Sequence, residues 1–428
     1  MTVHRDGAGQ GGAVVLGVAG LLGALVCPLA HAEGWQLERS VEGRLDSNDN
    51  PSLSSRPAAR LNSAVLAAAS SVARSAESAS SRLAIDLAGT RQTDTTPGRL
   101  EGSLSLNQSF TEPVDGFDLG WRYQSNATLD SSLASASASS SDLLLGRGDQ
   151  RSRVLNAGWS HRVDERWTTR LQASQGATDY AAALASAVAF RSRGFGASLQ
   201  RQLDERDGVS LSLNHSAFLP QPAAGRARGD STTDELNLAF NHALSPTDSA
   251  SLSIGRYRSE SATTQAVLAC PLAVELCLAG RVPFQVLQRT GSRTRWGQQA
   301  SVSWTGRLDE RSDAAFSAAR ALAPSGAGAV VRSDTLTLRL SRNWSETLSA
   351  SLNLSASATQ YLGVAASPQP RLQTLALALS ESLDPDTMLQ LSAQHSRASD
   401  LRVHSSARGN RVALSLRHVW PALSGSSR

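Results

Sequence analysis

No lysine occurs in the 428 residues; all 41 basic side chains are arginine. Schiff-base lysines, phosphate-loop lysines and serine–lysine catalysis are thereby excluded. Long apolar runs are also missing: after Val26 no stretch could cross a membrane as a helix. Aromatic residues make up only 5% of the chain, so any aromatic belt must be built from few rings. The formal charge of +4 is spread without a basic run, which gives no footing for nucleic-acid binding. Gly-x-Ser-x-Gly, His-Glu-x-x-His and Gly-rich phosphate loops are all absent, and no enzymatic activity, cofactor or metal is expected. Serines are nevertheless so frequent that a Ser-His-Asp site assembled from distant segments stays open as an outer-membrane hydrolase reading.

Three cysteines are present, at 27, 270 and 277. Cys27 lies near the end of an apolar stretch of about 14 residues, Ala13 to Val26, which follows a short polar start containing Arg5. That length suits the core of a secretory signal rather than a membrane span. Ala30-His31-Ala32 is a small-x-small cleavage site, so residues 1–32 are expected to be a signal peptide and the mature chain to begin at Glu33. Val26 before Cys27 is larger than a lipid-modified cysteine normally tolerates. In an exported chain Cys270 and Cys277 are expected to form a disulfide closing a short loop; a metal pair is the alternative, but no histidine or third cysteine lies nearby.

What is abundant is alternation. Leu336, Leu338 and Leu340 share one face, and Thr335, Thr337, Arg339 and Ser341 the other. Leu348, Ala350, Leu352, Leu354 and Ala356 repeat the pattern against serines and Asn353. A period of two is the mark of strands. Short charged turns recur among them: Val163-Asp164-Glu165-Arg166, Leu203-Asp204-Glu205-Arg206 after 40 residues, then Leu244-Ser245-Pro246-Thr247, Leu308-Asp309-Glu310-Arg311, Trp344-Ser345-Glu346-Thr347 and Leu383-Asp384-Pro385-Asp386. Short turns on one side and long polar loops on the other predict an all-β, antiparallel transmembrane barrel of the bacterial outer membrane. Counting gives 18 strands, within a range of 16 to 20, from 35–45 to 409–420; the alanine-rich segments 58–69 and 313–320 are the weakest. The barrel is expected over 33–420, with 421–428 as a C-terminal tail. A β-propeller would also repeat near 40 residues, but it needs four short strands per repeat; a β-helix or a disordered surface protein are further alternatives.

Trp35, Trp167, Trp344 and Trp420 fall at predicted periplasmic strand ends and are read as an interfacial girdle. His161, His215 and His242 fall on apolar faces near strand ends, where packing is the simplest role. Asp46-Ser47-Asn48-Asp49-Asn50 in the first loop is read as turn material, with calcium binding as the weaker alternative. Alternation points Arg122, Arg170, Arg339, Arg417, Gln172, Gln200, Asn214 and Gln299 into the barrel as pore-lining candidates, with the acids Glu38, Glu42, Asp86, Glu101 and Asp118 clustered in the first third. Such a lumen suits a polar solute in transit; the alternative is that these groups tie a filled barrel together. The segment 259–295 carries both cysteines and unusual apolar residues such as Leu268, Leu272, Val286 and Leu287, and is expected to be a long loop that narrows the mouth; the alternative is that it packs on a neighbouring protein or caps the rim without obstructing it.

Trp35 to Asn50, with its Asp-Ser-Asn-Asp-Asn, resembles the start of outer-membrane β-barrel proteins associated with exosortase/PEP-CTERM and exopolysaccharide systems. Pro324-Ser325-Gly326-Ala327-Gly328, Leu336 to Ser341 and Gly409 to Leu416 are similar to the C-terminal half of that group. The resemblance implies an integral outer-membrane barrel serving exopolysaccharide export, with export components as partners. The barrel reading itself predicts membrane lipid, lipopolysaccharide and the barrel-insertion machinery as partners, and the polar inward set a channel for polar solutes. His418-Val419-Trp420 resembles an aromatic-x-aromatic assembly signal, although Pro421 to Arg428 follow it. A plugged structural or adhesive surface barrel is the alternative.

Overall fold

The computed structural model describes residues 35–50, 53, 60–92, 99–127, 149–180, 188–221, 228–270, 285–325, 329–362, 369–400 and 405–424. They form one 18-stranded antiparallel sheet that closes on itself through the pairing of its first and last strands. In chain order the strands are β1 (Trp35–Asn48), β2 (Leu61–Ser75), β3 (Ala79–Gln92), β4 (Arg99–Thr111), β5 (Asp115–Ala127), β6 (Asp149–Arg162), β7 (Trp167–Tyr180), β8 (Phe190–Gln202) and β9 (Asp207–Pro220). Then come β10 (Arg228–Ala243), β11 (Ser249–Ala269), β12 (Gln285–Asp309), β13 (Ser312–Ser325), β14 (Ala329–Asn343), β15 (Leu348–Leu362), β16 (Pro370–Asp384), β17 (Thr387–Asp400) and β18 (Ser405–Ser424). Each pairs with its sequence neighbours, so closure leaves no free edge to seed aggregation.

The register carries the alternation around the whole wall. Leu213 lies opposite Leu236, Leu238 opposite Ile254, Leu252 opposite Val302, Leu354 opposite Leu375, and Leu391 opposite Leu414. These leucines are exposed, and they all belong to one face. A closed barrel that shows its apolar side chains outward is solvated by lipid, and this is a transmembrane barrel. The opposite face carries serine, threonine, asparagine, glutamine and charge.

The recurrent turn motif has a local physical cause. Asp164 Oδ1 accepts from the backbone N–H of Arg166 and Trp167 at 2.7 and 2.8 Å. Asp204 does the same for Arg206 and Asp207, while Ser245 and Ser345 accept through their hydroxyl oxygens. A short side-chain oxygen thus replaces the ladder acceptor where the chain reverses. These donors hold the Asp204 carboxyl below the ordinary carboxylate range, and the Ser245 hydroxyl with the Arg307 N–H does so for Asp248. The short turns lie on the side of both described chain ends, the periplasmic side in such barrels.

Trp35, Trp167 and Trp420 stand at the turn-side strand ends, and Trp344 lies in the turn between β14 and β15. Phe117, Trp159, Phe240 and Trp304 join that level on the outward register, which turn spacing alone did not single out. Trp159 stacks on His161 and Phe240 on His242, with ring centroids 5.7 and 6.3 Å apart. His161 Nδ1 lies 2.9 Å from Asp115 Oδ1, and His242 Nδ1 lies 2.6 Å from Asp207 Oδ1. Amphipathic rings with a polar partner suit the headgroup boundary. His215, by contrast, sits toward the loop side, 2.7 Å from Asp234.

Two boundaries differ from the sequence reading. The expected loop 259–295 is largely strand: β11 and β12 pair without interruption as far as Ala269 and Gln285, including Val267 opposite Leu287 and Leu268 opposite Val286. Val267, Leu268, Val286 and Leu287 thus stand in the ladder rather than in a loop. Cys270 is disulfide-bonded, whereas Cys277, Leu272 and the rest of 271–284 lie outside the described residues, as does the 1–32 segment. β18 also continues past Trp420 to Ser424, where Leu423 pairs with Leu37 across a register shift, so the first residues of the expected tail belong to the wall.

Candidate functional site

Every pore-lining candidate falls on the inward register, so the alternation read from the sequence places them together around one lumen. Arg170 Nη2 donates to Asp118 Oδ1 at 3.1 Å across β7 and β5. Gln172 Nε2 donates to Asn214 Oδ1 at 3.4 Å, over the intervening Gly196. A Cβ at Gly196 would fall 2.6 Å from both amides, so only glycine leaves room for this bridge. Gln299 Nε2 donates to Glu235 Oε2 at 3.3 Å and also to Asn237 Oδ1. Gln200 lies opposite Thr168 and Ser210, Arg339 opposite Asn353, and Arg122 opposite Ser105. Arg417 joins Glu42, Asp86, Glu101 and Gln124 around an inner-wall recess of about 410 Å³.

Charge is distributed unevenly and is partly paired. The acids expected in the first third do line β1 to β5: Glu38 and Asp118 meet arginines, Asp86 meets a serine hydroxyl, and Glu42 lies opposite Arg417. Arg82 Nη2 lies 3.7 Å from Glu38, and Ser103 Oγ donates to Asp86 at 2.7 Å. Asp46 lies 3.5 Å from Arg44 and 3.1 Å from Arg411. Two arginines therefore neutralise Asp46, while Asp49 accepts from the backbone and side chain of Asn410. The Asp46 to Asn50 run is turn and wall material, not a convergent oxygen set. The far wall combines inward arginines, among them Arg293, Arg295 and Arg339, with a hydroxyl surface. Hydroxyl pairs climb β11 and β12 as Ser249–Thr305, Ser251–Ser303 and Ser253–Ser301 at 3.0, 2.7 and 2.8 Å. Tyr257, buried on the same inward face above them, was not singled out by sequence.

The loop-side mouth holds what the sequence reading missed. Phe190 and Phe218 occupy inward positions at the outer ends of β8 and β9, with ring centroids 5.0 Å apart. They pack with Leu322, Val330 and Leu362 of β13, β14 and β15 respectively, which no ladder joins to them. Val330 and Val331 are consecutive, yet 8% and 0% exposed. A wall residue pair should have one side open, so this hairpin tip is covered on both faces: it leans across the mouth beneath β8 and β9. On the other side Leu53, at φ 43° between Asn50 and β2, is buried on Leu372, Ala398 and Ala407 of the inner wall. Asn50 Nδ2 fixes that loop by donating to the Arg408 carbonyl at 2.8 Å. For Phe190, Phe218 and Leu372 the signal was present as apolar residues on an otherwise polar register at strand ends; Leu322, Val330 and Leu362 continue the outward apolar register and carry no such signal.

No family model matches the chain, and no curated protein matches it. Among solved structures, the ferric citrate transporter FecA aligns at TM-score 0.49 and 9% identity, covering 91% of this chain and 79% of that one. The outer membrane protein opdK of Pseudomonas aeruginosa aligns at TM-score 0.45 and 9% identity, covering 90% and 99%. OccAB3 of Acinetobacter baumannii aligns at 0.45 and 6%, again covering 90% and 99%.

Proposed function

We propose that this barrel is a passive outer-membrane channel for polar, hydroxyl-rich solutes of low net charge. The inner wall supports the reading: ladders of serine and threonine hydroxyls and bridged amides, with some of its charges paired, as in Arg170–Asp118 and Arg82–Glu38. Such a surface exchanges hydrogen bonds with a solute in place of water. A sugar chain has the complementary chemistry. Export of an exopolysaccharide, which the resemblance of Trp35 to Asn50 and of Gly409 to Leu416 implies, is the finer form of the same proposal. The covered tip at Val330 and Val331 favours a mouth that is narrowed at rest, so passage requires the β13–β14 tip to move from beneath Phe190 and Phe218.

Liposome swelling tests this. Purified protein in vesicles should admit neutral sugars and discriminate little between them and singly charged analogues of equal size. Phe190→Ser with Phe218→Ser should raise the rate by loosening the mouth. No swelling with any solute in either protein would reject the channel and leave a plugged surface barrel.

A further inference from the structure

The outward face changes character above the apolar band. Toward the loop side, exposed arginines stand on the lipid-facing register of several strands, among them Arg153, Arg191, Arg193, Arg256 and Arg258. Arg397 and Arg408 are direct cross-strand partners there, an arrangement of like charges that an anion between them would relieve. The turn-side end is different: its Arg74 and Arg201 lie over the Trp35 and Trp167 rings, 6.0 and 5.1 Å from the centroids.

Within this belt the outer surface is indented by a groove of about 970 Å³ across β9 to β14. Leu238, Leu252, Ile254 and Val302 form its walls, and the small Ala300 and Ala318 leave the hollow. Arg256, Gln298 and the Arg320–Asp334 pair close its loop-side end. Arg320 is held by Asp334 at 2.6 and 3.1 Å, and Arg258 lies 3.3 Å from Glu260. No carboxylate among the described residues pairs with Arg256. Above it, Trp296 is 72% exposed with the Arg258 guanidinium 5.9 Å from its ring, a flat platform for a sugar.

We propose that this groove binds a phosphorylated glycolipid of the outer leaflet, the lipopolysaccharide class. An acyl chain lies on Leu238, Leu252, Ile254 and Val302, a headgroup phosphate on Arg256 and Arg258, and the sugar ring on Trp296. Arg256 supplies the complementary charge and Arg258 exchanges Glu260 for the phosphate, the apolar part is continuous with the lipid belt, and the cationic end is on the loop side, where the outer leaflet lies. The site is independent of the channel reading, because none of these side chains faces the lumen.

Protein folded in lipid-free detergent is titrated with diphosphoryl lipid A, its dephosphorylated form, phosphatidylglycerol and inorganic phosphate, with complexes counted by native mass spectrometry. Lipid A should bind tightest. Each arginine–phosphate contact at a membrane surface contributes about 1 kcal/mol, so Arg256→Gln with Arg258→Gln should weaken lipid A binding on the order of thirtyfold. Ala300→Phe, which fills the groove and leaves the arginines, should weaken it too. Unchanged heat-modifiable gel mobility shows that each variant folds. Equal affinity for phosphorylated and dephosphorylated lipid, or a variant that binds as the parent does, overturns the proposal. Phosphatidylglycerol or free phosphate binding as well as lipid A would overturn the glycolipid assignment.

Discussion

Moving an introduced arginine by one residue along β9 should turn a large loss of stability into a small one. Leu213 is 57% exposed on the outward face, opposite Ala197 and Leu236. Ser212, its neighbour, is on the lumen face opposite Ser198 and Asn237. β9 runs over 14 residues, roughly 48 Å of chain at about 3.4 Å per residue, or about 33 Å of height at a tilt near 45°. Leu213 therefore lies at mid-height, where lipid is least polar. An arginine there should cost about 2–4 kcal/mol, against little for a lumen position. The assay is reversible urea unfolding of Leu213→Arg and Ser212→Arg in lipid vesicles, followed by tryptophan fluorescence. The expected outcome is a large drop in midpoint for Leu213→Arg and a small change for Ser212→Arg. Equal losses, or the reverse order, would refute the assignment of faces on which the pathway depends.

Other expectations follow from the same geometry. Asp204→Ala should destabilise the β8–β9 turn, while Asp204→Asn, which keeps the acceptor, should be close to wild type in thermal melts. Because the folded Asp204 carboxyl is held below its ordinary value, its stabilisation is complete above the ordinary carboxylate range. It disappears as pH falls through the lowered folded value, so acid melts of Asp204→Asn should lose less stability than the parent. Asp118→Asn frees Arg170 in the lumen and should shift the channel toward anions, read as a change in reversal potential in a salt gradient.

Much of the wall was legible because its cause is local. The period of two and the Asp or Ser that caps the six recurrent turns are properties of a few adjacent residues, and together they placed most of the 18 strands and the inward set from Arg122 to Gln299. The mouth was not legible for the opposite reason. Phe218 and Val330 meet across more than a hundred residues, and Leu53 reaches Leu372 only after the barrel has closed. The extension of β11 and β12 to Ala269 and Gln285 was not legible, because apolar residues beyond the usual strand length suggested a loop; the tip of the expected lid, 271–284, lies outside the described residues. The outer arginines were passed over because charges scattered by sequence gather at one height only through the register.

The most direct test of the central claim is single-channel conductance in planar bilayers of a Phe218→Cys, Val330→Cys variant, recorded oxidised and reduced beside wild type. A water-filled path narrowed by the β13–β14 tip predicts stable steps in the reduced variant, their suppression when the crosslink forms, and no such redox effect in wild type. Silence in the reduced variant at high protein load, or steps indifferent to the crosslink, would contradict it.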